Sequence, residues 1–265
     1  MIRTNLSLFC PHAAPTAEQE WTVPMNESGY VCVSQSAGPF TKAFVTDRAA
    51  FLRRNHGAFP NEIRRRCGPA MSRTTVDKLE LRLALFGYDG VFYGLTFEPG
   101  QTPKDFKETK RCWEAFLKKL KRWRAEQDKY EKRAQPTEVD YVYRIEHLHD
   151  NWHLHCFLRD RDFPSAVVRW LWDYGEADDV PYDRKRIHRE QGYRCLAQYF
   201  TKEVPEVGRH AWGANRGLSK QLPKPKVTFN KTGRISVPKG AVMLPVKDPG
   251  ITEWGVFNYA RFLSD

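Results

Sequence analysis

Tyr141 to Leu158 reads YVYRIEHLHDNWHLHCFL, two runs of strand-forming residues around a polar break at His149-Asp150-Asn151. That pattern predicts a β-hairpin. Side chains alternate faces along a strand. One face therefore carries Tyr143 and Ile145 with Leu154, Cys156 and Leu158, all suited to a core. The other carries Arg144 and Glu146 with His153 and His155. A slip of one residue would scramble both faces, so the apolar set fixes the register. Glu146 is then expected on the same face as both imidazoles, an incipient divalent-metal site. A bare His-x-His is a weak signal, and the carboxylate on its face is what strengthens it.

The segments around the hairpin suggest an α+β chain. Val91 to Phe97 (VFYGLTF) is β-rich and ends at Pro99-Gly100, which predicts a strand. A long helix should follow, capped by Thr102, with Pro103 in its first position and Asp105 in its first turn, ending at Gln135-Pro136. Phe106, Trp113, Phe116, Leu117, Leu120 and Trp123 form its buried stripe, and Lys118, Lys119, Lys121 and Arg122 lie between them. Pro164 to Tyr174 reads as a short helix, Asp178 to Pro181 as a turn or short strand, and Arg186 to Glu203 as a further helix. Val227 to Phe229 and Arg234 to Val237 suggest a small hairpin. No internal repeat is evident. The strands do not alternate regularly with helices, which disfavours a parallel sheet. The expected fold is α+β, a central antiparallel sheet of about five strands with flanking helices. The histidine hairpin would lie at its centre, the Asp105 to Gln135 helix on one face, and a later helix against the metal face.

Three regions are expected: residues 1–75 as an N-terminal extension that turns basic from Lys42, 76–220 as the functional domain, and 221–265 as a basic tail. The chain of 265 residues carries 43 Lys and Arg against 32 Asp and Glu, a formal net charge of +11. Such an excess favours a polyanionic partner, most simply nucleic acid. Eight basic positions fall between residues 42 and 73, including Arg64, Arg65 and Arg66, a patch that either grips phosphates or is simply solvated. No apolar run is long enough to cross a bilayer, and Leu6 to Cys10 is too short for a secretory core. The six cysteines, with no C-x-x-C pair, read as free thiols of a reducing compartment, and a cytoplasmic protein is expected. There is no G-x-x-x-x-G-K-[ST] loop to suggest a built-in ATPase.

The chemistry is completed in CLAQYFTKEV (Cys195 to Val204), where Tyr199 and Lys202 are three residues apart and share a helix face. By itself this pair is ordinary. In a basic chain, after a His-x-His strand, it is equipment for cutting a phosphodiester with a tyrosine.

Together these segments resemble the rolling-circle replication initiators of the HUH endonuclease superfamily, particularly the single-domain type of small bacterial plasmids and single-stranded DNA phages. Phe92 to Phe97 (FYGLTF) resembles their first motif, His153-Leu154-His155 with upstream Glu146 the metal motif, and Tyr199-Phe200-Thr201-Lys202 the nicking motif. Trp170 to Gly175 and Arg209 to Leu218 are softer similarities, and the likeness covers roughly residues 90–220. The resemblance implies a ferredoxin-like or RRM-like core. It also implies Mg2+ or Mn2+ on Glu146, His153 and His155, and Tyr199 as the nucleophile that forms a 5′-phosphotyrosine, assisted by Lys202. Arg64, Arg65, Arg66, Arg209 and Arg216 are the expected DNA contacts. The implied partners are single-stranded or extruded origin DNA, a host helicase and replication machinery, with no membrane. Some relatives carry a second tyrosine four residues earlier, where this chain has Cys195. Termination would then use Tyr199 of a second protomer, or water. A relaxase or transposase of the same superfamily is the nearest alternative. A non-catalytic basic nucleic-acid-binding protein and an unrelated metallohydrolase are further ones.

Overall fold

The computed structural model describes residues 29–48, 75–148, 151–202, 211–245 and 258–264. It is α+β and contains two five-stranded antiparallel sheets, each in its own compact unit. The elements of the first unit are β1 (Tyr30–Ala37), β2 (Phe40–Asp47), α1 (Thr75–Ala84), β8 (Lys226–Asn230), β9 (Val242–Met243) and β10 (Asn258–Leu263). The second unit contains β3 (Gly90–Leu95), α2 (Phe106–Tyr130), β4 (Val142–Leu148), β5 (Asn151–Arg159), α3 (Ser165–Leu171), β6 (Ala177–Tyr182), β7 (Trp212–Ala214) and α6 (Arg216–Gln221). Two short helices, α4 (Arg184–Arg189) and α5 (Arg194–Thr201), run across the chain positions where the units exchange.

In the first unit the strand order is β8-β1-β2-β10-β9. The segments expected as an extension and a tail are here neighbours: β1 pairs with β8, Val31 opposite Phe229, and β2 with β10, Lys42 opposite Arg261. The predicted hairpin between 227–229 and 234–237 does not form. Residues 234–237 are not a strand, and β8 takes its hydrogen bonds from β1. Local turn chemistry could not reveal a partner about two hundred residues away. Glu80 of α1 is wholly buried and faces Lys42 at 2.9 Å and Arg261, while Asp77 takes Lys42 at 3.1 Å and Arg194 at 2.9 Å. Tyr193 is also buried here, edge-on to Phe40.

In the second unit the order is β6-β3-β5-β4-β7. One face of this sheet carries Val91, Tyr93, Leu95, Ile145, Leu154, Cys156 and Leu158, packed on Trp113, Phe116 and Leu120 of α2 and Val168 and Leu171 of α3. The hydrophobic stripe predicted for the long helix is therefore the one it buries. Its ends differ from the prediction. Asp105 is the cap, accepting from the Glu108 amide at 2.7 Å, while the Glu108 carboxylate reaches back to the Lys104 amide at 2.8 Å. This reciprocal pair satisfies two end amides, and the Thr102 hydroxyl instead bonds the Glu98 carbonyl. At the other end the helix stops at Tyr130, because Lys132 turns left-handed (φ 52°) and Asp128 takes both the amide and the hydroxyl of Thr137.

The single helix expected over 186–203 is two. Gln191 (φ 57°) and Gly192 (φ 95°) break it in left-handed backbone, which the side-chain periodicity of the flanks does not register. Cys32, Cys112 and Cys156 are free, but Cys195 is disulfide-bonded, which corrects the expectation of free thiols throughout. Cysteine spacing does not encode pairing. None of the described helices is long and apolar enough to cross a membrane.

Candidate active site around Tyr199

The hairpin has the register that its hydrophobic pattern required. Ile145 lies opposite Leu154 and Tyr143 opposite Cys156, so Glu146 pairs with His153 and Arg144 with His155. The His149-Asp150 turn lies outside the described residues. On the face away from α2, β3 brings Phe92 and Gly94 alongside, with Gly94 opposite His155. Phe92 stacks flat on the His155 ring, 5.3 Å between centroids and 17° between planes. Gly94 lies beside the same ring, and a Cβ there would meet His155 Nδ1 at 3.8 Å, an ordinary contact.

Helix α5 delivers Tyr199 to this face. Leu196, Ala197 and Phe200 are its buried positions, and Phe200 packs edge-on to Phe92. With that side fixed, Tyr199 is turned toward Glu146 and its hydroxyl donates to Glu146 Oε2 at 2.7 Å. His155 Nε2 lies 3.1 Å from the same oxygen, and the tyrosine and imidazole rings meet edge to face at 5.4 Å. Arg144 completes the cluster. Its Nε donates to Glu146 Oε1 at 2.7 Å, and its guanidinium lies 5.5 Å from the centre of the Tyr199 ring. Its Nη1 donates to the carbonyls of Phe200, at 3.0 Å, and Lys202. These are end carbonyls of α5, which lack partners within the helix and carry the negative end of its dipole. A guanidinium only 1 % exposed thus ties the helix of Tyr199 to the strand that bears the carboxylate.

Charge follows from this geometry. Burial alone would raise the Glu146 pKa, but the hydrogen bond from His155, the charges of His155 and Arg144 and the Tyr199 hydroxyl outweigh it and hold the carboxyl down at about 2. Burial, then the adjoining carboxylate, push the Tyr199 phenol well above its ordinary value, only partly opposed by Arg144. The phenol at rest is a proton donor. Burial and the nearby His155 lower the His153 pKa, which favours the neutral ring that can donate a lone pair.

The predicted site residues divide accordingly. Glu146, His155 and Tyr199 are in direct contact. His153 is opposite Glu146 in the ladder and partly exposed. Among the described residues, no three His, Cys, Asp or Glu side chains close on a common point for a metal ion. The Lys202 side chain is exposed just beyond the end of α5, whose last residue is Thr201. The cation over the tyrosine is Arg144, which the alternation of the hairpin had put on this face without giving it a part. Phe92, the support of His155, lay in the strand motif and could not be singled out without the β3–β5 register. Arg216 is exposed at the start of α6, and Arg64, Arg65, Arg66 and Arg209 lie outside the described residues. Tyr193, buried on Phe40, is core in the first unit. Comparison of the chain with protein families, with characterised proteins and with solved structures found no match.

Proposed function

We propose that this protein is a metal-dependent DNA endonuclease and strand transferase, a rolling-circle replication initiator that nicks and rejoins single-stranded origin DNA through a 5′-phosphotyrosine on Tyr199. The observation that carries this reading is the 2.7 Å hydrogen bond from the Tyr199 hydroxyl to Glu146, on the sheet face that bears both histidines. Attack by the phenol oxygen forms the Oη–P bond and breaks the P–O3′ bond. The phenol proton passes to water and the leaving 3′-oxygen takes one up, so the step balances, while the ionised Glu146 orients the hydroxyl beforehand. Arg144, over the ring, favours the phenolate as it develops. The covalent link conserves the ester, so the reverse attack by a 3′-hydroxyl rejoins the strand.

The donor set suits Mg2+ or Mn2+, with imidazole favouring Mn2+. The carboxylate is ionised, His153 is biased to its neutral form, and His155 presents Nε2 to the carboxylate, 3.1 Å from Oε2. Such an ion on Glu146, His153 and His155 would supply positive charge against a nonbridging phosphate oxygen. Since Glu146 Oε2 is shared by His155 and Tyr199 here, binding it involves exchange of those contacts. Cytoplasmic action beside a separate helicase, with a second protomer's Tyr199 or water for termination, belongs to the same reading.

The test is a denaturing gel of protein incubated with a labelled, randomised single-stranded oligonucleotide pool and Mn2+. Wild type is expected to give a covalent adduct. Tyr199→Phe should give none while binding DNA as before, and EDTA should abolish the adduct. An adduct that survives Tyr199→Phe would assign the nucleophile elsewhere. The Arg144–Glu146–Tyr199 chain also favours a second reading, a non-catalytic nucleic-acid-binding protein in which the network only fastens α5 to the sheet. That reading predicts salt-sensitive binding and no adduct from wild type.

A further inference from the structure

The outer face of α2 carries a pattern that packing of the helix does not require. Lys107-Glu-Thr-Lys110-Arg111 (KETKR) recurs eleven residues later as Lys118 to Arg122 (KKLKR) and again as Lys129 to Arg133 (KYEKR). Eleven residues carry an α-helix about 20° past three full turns and about 16.5 Å along its axis. Residues at this spacing therefore line up along the helix. Lys107, Lys110, Arg111, Lys118, Lys121, Arg122 and Lys129 are all exposed, and none of them forms an ion pair among the described residues. The third copy runs off the end of the helix, where Arg133 is bonded to Glu131, so only Lys129 extends the line. Glu108 stands within the first cluster, accepting from the Lys104 amide, and Glu114 lies between the two; among the described residues neither forms an ion pair with these cations. Like charges at i, i+4, as at Lys107 and Arg111 and at Lys118 and Arg122, weaken a helix. A face kept merely soluble would mix signs.

We propose that this face of α2 binds the phosphate backbone of duplex nucleic acid without reading its sequence. The two clusters repeat along one continuous helix, and a duplex offers a regular polyanion to such a line. Single-stranded binding sites interleave aromatic platforms with their cations. The two full clusters contain none, since Trp113, Phe116 and Trp123 of α2 point into the core or its margin, and the exposed ring of α2, Tyr130, stands beyond them at the end of the helix. The face is also separate from Tyr199. Helix α2 packs on the Ile145 and Leu154 side of the sheet, whereas Glu146, His155 and Tyr199 occupy the other. Strand chemistry and duplex grip are thereby assigned to opposite sides of one unit. The inference does not depend on the nicking reading, because Tyr199→Phe leaves it unaffected.

The test measures binding of full-length protein to a blunt random-sequence duplex, to a single strand of equal length and to phosphatidylserine vesicles, between about 50 and 200 mM salt. Two triple variants are compared with wild type: Lys107→Gln with Lys110→Gln and Arg111→Gln, and Lys118→Gln with Lys121→Gln and Arg122→Gln. Gln is close to Lys and Arg in helix propensity and the sites are exposed, so thermal unfolding should be unchanged or slightly raised by the lost repulsion. Each triple variant is expected to weaken duplex binding at least about tenfold at the lowest salt. Each should also reduce the slope of log affinity against log salt by about three, with a smaller loss on the single strand. The proposal is overturned by duplex binding that neither variant alters, by equal losses on duplex and single strand, or by tighter capture on vesicles than on duplex.

Discussion

At the scale of the residue, Glu146 is the centre on which the other side chains converge. Its oxygens take the Tyr199 hydroxyl, His155 and Arg144, and each contact favours the ionised form. A folded-state pKa near 2 against an ordinary value near 4.5 gives a definite sign to the pH dependence. The stabilisation is complete above about pH 4.5 and is lost as the pH falls toward 2, amounting to about 3 kcal/mol. The urea midpoint of metal-free wild type should therefore fall more steeply between about pH 5 and 3 than that of Glu146→Gln. Parallel curves would mean that the carboxylate is not held in this way. Tyr199→Phe removes a hydrogen bond to a charged group, and a loss of about 2 kcal/mol in urea stability is expected besides the lost adduct.

At the scale of the element, the two ends of α5 differ in what fixes them. Its first residue, Arg194, pairs with Asp77 in the first unit, and its last carbonyls accept from Arg144 in the second. Arg144 is thus a positioning residue for the tyrosine as well as a neighbour of its ring. Arg144→Met would leave Glu146 short of a cation and the helix end short of donors, with an expected cost of about 3 kcal/mol. Arg144→Lys keeps the charge but cannot hold the strand carboxylate and the helix carbonyls together. It should lose adduct yield by far more than it loses urea stability, and an unchanged yield would deny Arg144 its positioning part. The long helix α2 has a simpler dependence. Asp105→Ala removes its amino-terminal cap and should cost about 1 kcal/mol, seen as a lower urea midpoint.

At the scale of the whole molecule, the chain builds a second sheet from segments far apart in sequence, and Glu80 is the charge most exposed to error there. It is wholly buried against Lys42 and Arg261, with Arg194 3.6 Å away. Glu80→Ala would strand buried cations and should destabilise the first unit by about 3–5 kcal/mol. A spectroscopic probe placed in that unit should report this loss, and an unchanged midpoint would show that the ion cluster is dispensable.

The sequence by itself determined the hairpin, its register and the residues on each of its faces, because an alternation of period two is local and a one-residue slip would bury Glu146 and expose Leu154. It also determined the buried stripe of α2, whose 3.6-residue recurrence needs no partner to be legible. Tertiary structure alone decided the rest. The pairing of β1 with β8 includes a hydrogen bond from Thr228 to Cys32, 196 residues away in the chain, and nothing in either segment names the other. The left-handed residues at Gln191 and Gly192 split a helix whose side-chain pattern continued through them. The choice of Arg144 over Lys202 as the cation above Tyr199 depended on where a helix end meets a strand. That meeting is set by the packing of Phe200 on Phe92, a contact between segments more than a hundred residues apart that no local periodicity encodes.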